Sequence, residues 1–144
     1  MKKSLSVAFV LVILLSTLAA PVSAAKPVPA PWVTVGSWSL NRDITTANIL
    51  IYLNAYNVTF GFAKQSAVLK LGFTYCEGYV CRDYIEETQI VDKQTIQPLN
   101  LIANKERAFA PGSCTITQFV RITDAGGVTA QANNTTYSGC LYNP

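Results

Sequence analysis

The 144-residue sequence contains no histidine. Histidine is the commonest general base near neutral pH and the commonest metal ligand, so its absence excludes Ser-His and Cys-His nucleophilic dyads and most zinc or copper sites. Charged residues are also scarce, at 13% of the chain, and no run of Lys or Arg could follow a phosphate backbone. We therefore expect a non-catalytic protein with no cofactor, no metal and no nucleic-acid partner.

The first 24 residues have the organisation of a secretory signal peptide. Lys2 and Lys3 precede an apolar run over 5–20, and small residues at 22–25 offer a cleavage site. The run has 16 residues and is followed by Pro21, whereas a membrane-spanning helix needs about 20, so a retained anchor is the weaker alternative. We predict a signal helix over 1–24 that is cleaved, a secreted or cell-surface protein, and no membrane insertion afterwards.

Downstream, the sequence predicts a short leader and one domain over 32–144. Residues 25–31 read AKPVPAP, and alternating proline favours a stiff, extended leader. Beyond it, apolar residues recur with period two, which indicates strands. In 47–57 the apolar positions are odd up to Ala55 and even from Tyr56, so a bulge or turn should lie between Asn54 and Asn57. A helix over 47–57 is the alternative, because residues 49, 52, 53 and 56 also fit helical spacing.

About seven short strands predict an all-β fold, and a single antiparallel sandwich of the immunoglobulin-like kind would bury their apolar faces. The Cys-Trp-Cys spacing of true immunoglobulin domains is absent, since Trp32 and Trp38 precede every cysteine. Pro98 lacks a backbone donor, so the strand predicted over 94–103 should lie at a sheet edge. We expect a connection over 104–112, and a turn centred on Gly126-Gly127 that places residue 120 opposite residue 133.

Four cysteines in an oxidising compartment predict two disulfides. A two-residue turn at Gly78-Tyr79 would place Cys76 directly opposite Cys81, and Cys114 would face residue 139, next to Cys140. We predict Cys76–Cys81 on an exposed hairpin and Cys114–Cys140 in the core. A redox-active pair is disfavoured, because four residues separate the first two cysteines.

Two further groups of residues could carry chemistry. Carboxylates at Asp83, Glu86, Glu87 and Asp92 could serve acid-base catalysis or bind calcium, but neighbouring strand residues face opposite ways and no calcium-loop motif occurs, so we expect a solvated edge. Aromatic residues could stack on a glycan from one sheet face, although core and cross-strand packing is the commoner role. These aromatic residues are Trp32, Trp38, Tyr52, Tyr56, Tyr75, Tyr79 and Tyr84.

Three Asn-x-Thr sequences match the N-glycosylation acceptor pattern, which is meaningful only in a secreted chain. They begin at Asn57, Asn133 and Asn134. The polar stretch over 133–136 is the better candidate, because we expect Asn57 to lie among core aromatics.

These features favour a non-catalytic secreted β-sandwich that is a structural or adhesive component of a cell surface or extracellular filament. The layout is similar to that of secreted fibre subunits assembled by donor-strand complementation, in which residues 32–40 would pair with a neighbouring subunit's open edge. Alternatively, this segment is the domain's own first strand. The candidate assembly residues are Trp32, Val33, Val35, Trp38 and Leu40.

A second hypothesis is a monomeric secreted binding or inhibitor protein. It would present the disulfide-clamped 76–81 loop as a rigid probe to an extracellular protein or glycan, because a pre-organised loop loses less entropy on binding.

Overall fold

The computed structural model describes residues 27–45, 48–103, 108–109, 112–134 and 137–140. The predicted signal peptide and leader residues 25–26 lie outside them. The described residues are mostly β-strand and contain no α-helix, which confirms the all-β class. The strands are β1 (Trp32–Ile44), β2 (Ile49–Gly61), β3 (Ser66–Glu77), β4 (Val80–Asp92), β5 (Leu99–Ala103), β6 (Ala108–Phe109), β7 (Gly112–Asp124), β8 (Thr129–Asn133) and β9 (Tyr137–Cys140).

The strands form two antiparallel sheets. One has the order β1-β2-β5, with β6 also paired to β2, and the other has the order β4-β3-β7-β8, with β9 also paired to β7. β5 and β6 pair with successive parts of β2, and β8 and β9 pair with successive parts of β7. The nine strands therefore occupy seven positions, four in one sheet and three in the other.

The two sheets share one hydrophobic core, to which the period-two pattern contributes one face of each strand. Odd-numbered residues of β3 and even-numbered residues of β7 form one wall, and β2 supplies most of the other. The core residues that are fully shielded from solvent include Ile49, Ile51, Leu53, Val58, Leu69, Leu71, Phe73, Ile116, Val120 and Ile122.

Residues 49–61 form a strand, so the helical alternative is wrong. The predicted change of parity in β2 is confirmed, because its pairing with β5 shifts between Ala55 and Val58 and Asn57 adopts a positive φ of 50°. Gly36 on β1 lies beside Asn57, and a Cβ atom added to Gly36 would come within 2.9 Å of the Asn57 Cβ. In both strands the inward side chains change here from odd-numbered to even-numbered residues, so the apolar side chains of both strands stay inward.

The predicted β7–β8 turn is wrong by one residue. Val120 pairs with Ala132, and the loop holds three residues, 125–127, with Gly127 at a φ of 82°. The cause is Asp124, whose Oδ1 accepts hydrogen bonds from the backbone N–H groups of Gly126 (2.8 Å) and Val128 (3.0 Å). Farther along, Thr115 pairs with Ser138 as predicted.

The strand after Pro98 lies at a sheet edge, as predicted, but it begins at Leu99 and not at 94. Residues 93–95 form a 3₁₀ turn instead, because Asp92 Oδ1 accepts a hydrogen bond from the Gln94 N–H at 2.7 Å and caps the turn. The predicted connection over 104–112 also contains a short strand, β6, whose Phe109 packs against the core.

Candidate assembly edge and other functional residues

β1 contains all five candidate assembly residues and pairs antiparallel with β2 of the same chain from Trp32 to Ile44. Val33 is buried, whereas Val35, Trp38 and Leu40 are half-buried and pack against the core. Trp32 is 51% exposed and lies beside Gly61. β1 is thus a strand of its own domain whose inward face is only partly covered.

Among the strands that the structure describes, β1 pairs only with β2, so its outer side forms an open edge there. Residues 32–41 read WVTVGSWSLN, ten successive residues without a charge or a proline. A long uncharged edge offers unpaired N–H and C=O groups to another strand, and proteins usually protect such edges with charges, prolines or short strands.

The other edges among the described strands carry these protections. β4 is as long as β1, at 13 residues, but five of its residues are charged. They are Arg82, Asp83, Glu86, Glu87 and Asp92. β5 has five residues and follows Pro98, and β8 also has five. β1 is therefore the edge most open to strand addition.

The predicted Cys76–Cys81 disulfide is confirmed and closes the β3–β4 hairpin. Gly78 has a φ of 57°, which suits the tight turn, and Tyr79 at the tip is fully exposed. Cys114 is buried and disulfide-bonded, as predicted, but the side chain of its predicted partner, Cys140, lies outside the described residues, so that pairing stays a prediction.

Below this hairpin, Tyr75, Tyr84 and Phe109 line a cleft of about 200 Å³ together with Glu77, Val80 and Arg82. The rings of Tyr75 and Phe109 stack with centroids 4.2 Å apart. Burial raises the pKa of Tyr75 to about 12, and the hydrogen bond from its hydroxyl to Glu77 Oε1 adds to the effect. The phenol is therefore a hydrogen-bond donor at neutral pH.

Gln118 is a buried polar residue that sequence reasoning missed. Its Nε2 donates to the backbone oxygens of Ser39 (3.2 Å) and Asn54 (2.9 Å) in the opposite sheet, and its Oε1 accepts from Asn134 Nδ2 at 3.2 Å. The sequence did indicate its burial, because Gln118 is even-numbered, like the core residues Ile116 and Val120 of the same strand. Gln118 links the two sheets beside the parity switch of β1.

The three glycosylation acceptors differ in exposure, and the expectation that Asn57 lies among core aromatics is wrong. Asn57 is exposed and not among core aromatics, because its positive φ takes it out of the regular strand pattern. Asn133 is also exposed, but Asn134 is half-buried and donates its Nδ2 to Gln118. Since Nδ2 is the atom that a glycan would join, Asn57 and Asn133 are better placed than Asn134.

The acidic residues do not form one solvated cluster. Asp83 is exposed and accepts from Arg121 at 2.8 Å, an interaction that lowers the pKa of its carboxyl group. Glu86, however, is only 2% exposed, because a β-bulge opposite Leu71 and Gly72 breaks the assumed alternation. Within the described part of the chain, no group of three His, Cys, Asp or Glu residues could hold a metal ion.

The seven aromatic residues considered for a glycan-stacking platform do not share one face. Trp32 lies where β1 begins, Tyr79 lies at the tip of the β3–β4 hairpin, and Tyr75 is buried. A platform built from the whole set is therefore excluded.

Comparisons with known proteins give no relative. No protein-family model matches the chain, and no curated protein or solved structure matches it significantly. Across the described residues, no helix has the length and apolar character needed to cross a membrane.

Proposed function

We propose that this protein is a non-catalytic, secreted structural or adhesive component of a cell surface or extracellular filament, and that it associates through β1. The observation that carries the proposal is the open, uncharged edge of β1 beside three better-protected edges. Secretion is supported by the signal-like sequence over 1–24 and by the Cys76–Cys81 disulfide, which persists in oxidising compartments.

We also propose that the sandwich is immunoglobulin-like. The support is the strand order. If β5 and β6 share the fifth position, β7 takes the sixth, and β8 and β9 share the seventh, one sheet has the order 1-2-5 and the other has the order 4-3-6-7. Constant-type immunoglobulin domains place the fourth strand beside the fifth, whereas β4 here pairs with β3. The proposal therefore concerns the general arrangement and not the constant-type order.

Association through β1 could follow two routes. In strand exchange, β1 would leave its own β2 and pair with the β2 of a neighbour, as the predicted fibre-type assembly requires. In edge addition, β1 would stay on its own β2 and use its open side. Both routes need the same strand but change different hydrogen bonds.

The first experiment compares Ser37→Lys with Thr129→Lys in the mature protein, by size-exclusion chromatography over a range of concentrations. Ser37 is exposed on β1 and Thr129 is exposed on β8, so each variant adds the same charge to a different edge. We expect Ser37→Lys to shift assemblies toward monomer and Thr129→Lys to leave them unchanged. A wild-type protein that remains monomeric at every concentration contradicts the proposal.

The second experiment separates the two routes with the double variant Thr34→Cys/Thr59→Cys. The two hydroxyl oxygens lie 2.6 Å apart across β1 and β2, so cysteines there can form a disulfide. Strand exchange predicts covalent multimers on a non-reducing gel, since residue 34 then faces residue 59 of a neighbour. Edge addition predicts assemblies that contain only intrachain bonds.

The monomeric binding protein remains the second candidate function, and the exposure of the clamped hairpin favours it. Tyr79 is fully exposed and Val80 is 62% exposed, although both are apolar enough to favour burial against a partner. Interface binding energy concentrates in such aromatic anchors. A monomeric wild type whose extracellular partner is lost on Tyr79→Ser, but kept on Thr129→Lys, would support this function instead.

A further inference from the structure

We infer that β1 is self-complementary, and that two copies of this chain pair their β1 strands antiparallel about a two-fold axis between Gly36 and Ser37. The three strand positions of each β1-β2-β5 sheet would then join into one continuous six-stranded sheet. This inference rests on the proposed function, in which β1 mediates association, and it adds the partner, the direction and the register.

The first step is the direction of the free backbone groups. Just after β1 ends and just before β2 begins, the Thr45 N–H donates to the Asn48 oxygen at 2.8 Å. Because hydrogen-bonding direction alternates along a strand, Leu40 and Trp38 point their N–H and C=O groups away from β2. These two residues also turn their side chains to the core. Along a strand, the direction of the side chain and the direction of the backbone N–H and C=O groups both alternate with every residue. The residues of β1 whose side chains face the core are therefore also those whose N–H and C=O groups point to the open edge.

The second step is the register. Before Gly36 the core-facing residues are Val33 and Val35, and after it they are Trp38 and Leu40. An axis between Gly36 and Ser37 places Val35 opposite the second copy's Trp38, and Val33 opposite its Leu40. An axis through Gly36 itself would place Val35 opposite Ser37, an outward residue, and would bring apolar and polar faces together. The parity switch therefore selects the axis between the residues.

The third step is the length of the pairing. The same axis is the centre of the uncharged run over 32–41, so it pairs that run with itself. Beyond the run, Arg42 would meet Pro31, which has no N–H to donate. Asp43 adds a second charge at each end. The pairing can thus extend over ten residues and has a defined stop at both ends.

Four core-facing residues on each strand would form four hydrogen-bonded pairs, each with two backbone bonds. The half-buried side chains of Val35 and Trp38 would gain cover from the second copy. A contact of this kind uses the same patch on both partners and gives a closed dimer, so a filament would need another surface in addition.

The test uses Thr34→Cys/Ser39→Cys in the mature protein, oxidised and run on a non-reducing gel. The proposed register places residue 34 directly opposite residue 39 of the second copy, on the outer face. Within one chain these positions are about 16 Å apart along the strand, too far for a disulfide. Thr34→Cys/Asn41→Cys is the matched control, since it requires a slip of two residues. We expect nearly complete dimer for the first variant and at least a fivefold lower yield for the second.

The outcomes separate the inference from the function on which it rests. Cross-linking of 34 to 39, located by mass spectrometry and reversed by reductant, supports the dimer. A wild-type dimer on size exclusion in which the 34/41 pair cross-links as well or better overturns the register but leaves association through β1 intact. Covalent multimers from the Thr34→Cys/Thr59→Cys variant overturn edge pairing in favour of exchange. A monomeric wild type overturns the proposed function and the inference together.

Discussion

Gln118→Glu provides a quantitative test of how the two sheets are held together. The change replaces the side-chain N–H₂ group, which donates to two backbone oxygens in the opposite sheet, with an oxygen. Gln118 has no exposed surface, so the introduced carboxyl group would lie beside Ser39 and Asn54 oxygens without water. Both burial and these acceptors favour its protonated form and raise its pKa in the folded state.

The magnitude follows from that shift. An unfolded Glu titrates near 4.3, and each unit is worth about 1.4 kcal/mol, so a carboxyl kept neutral up to pH 7 costs about 3.7 kcal/mol there. The neutral acid can donate to one oxygen and not two, which adds about 1–3 kcal/mol at every pH. Because the folded pKa is raised, the variant is most stable, relative to wild type, below about pH 4.3 and loses about 1.4 kcal/mol per unit above it.

The measurement is urea unfolding, followed by tryptophan fluorescence at several pH values between 4 and 7, roughly the range over which the shift acts. The matched control is Gln131→Glu. Gln131 is exposed and its Oε1 accepts from Arg121 Nε at 2.7 Å, and the bond that the change removes, from its Nε2 to Asn133 Oδ1, is also exposed, so stability should change by less than about 0.5 kcal/mol. A Gln118→Glu variant as stable as wild type at pH 7 would contradict the contacts described. An equal loss at pH 4 and pH 7 would contradict the burial argument.

Three further predictions concern the other features of the fold. Cys76→Ala/Cys81→Ala should lower the free energy of unfolding by about 2 kcal/mol, the value for a loop of this size, in the same urea assay, and an unchanged midpoint would contradict it. Near-ultraviolet titration should show Tyr75 ionising near pH 12, so the stability that its neutral form contributes should be full below pH 10 and lost as the pH rises from 10 to 12. Glu77→Gln should lower that pKa but leave it above 10, because burial is the larger cause. Asp83→Asn should cost at most about 1 kcal/mol at neutral pH, since Asp83 is exposed and Arg121 is only half-buried, and this difference should disappear as the pH falls below the carboxyl pKa.

Much of the fold was predictable from local patterns. Period two gives strands whatever their partners, which is why the sequence predicts an all-β fold and a first strand within 32–40, where β1 lies. The Gly78-Tyr79 turn fixes the register of its hairpin, so the pairing of Cys76 with Cys81 follows from a few residues. The parity switch near Asn57 is also visible in the sequence, because an apolar face cannot change sides without an irregularity.

The tertiary structure decided what depends on residues distant in sequence. Whether the edge of β1 is open is set by which strands lie beside it, and the alternation within 32–41 contains no such information. The buried position of Gln118 has meaning only when the Ser39 and Asn54 oxygens, 79 and 64 residues away, lie opposite it. Glu86 escaped prediction because a bulge in the β3–β4 pairing changed its direction.

The sequence by itself therefore determined the strands, the clamped hairpin and the uncharged character of residues 32–41, since each is a property of neighbouring residues. The tertiary structure decided that this uncharged strand lies at an edge and that a buried glutamine joins the sheets, because both depend on pairings across the chain.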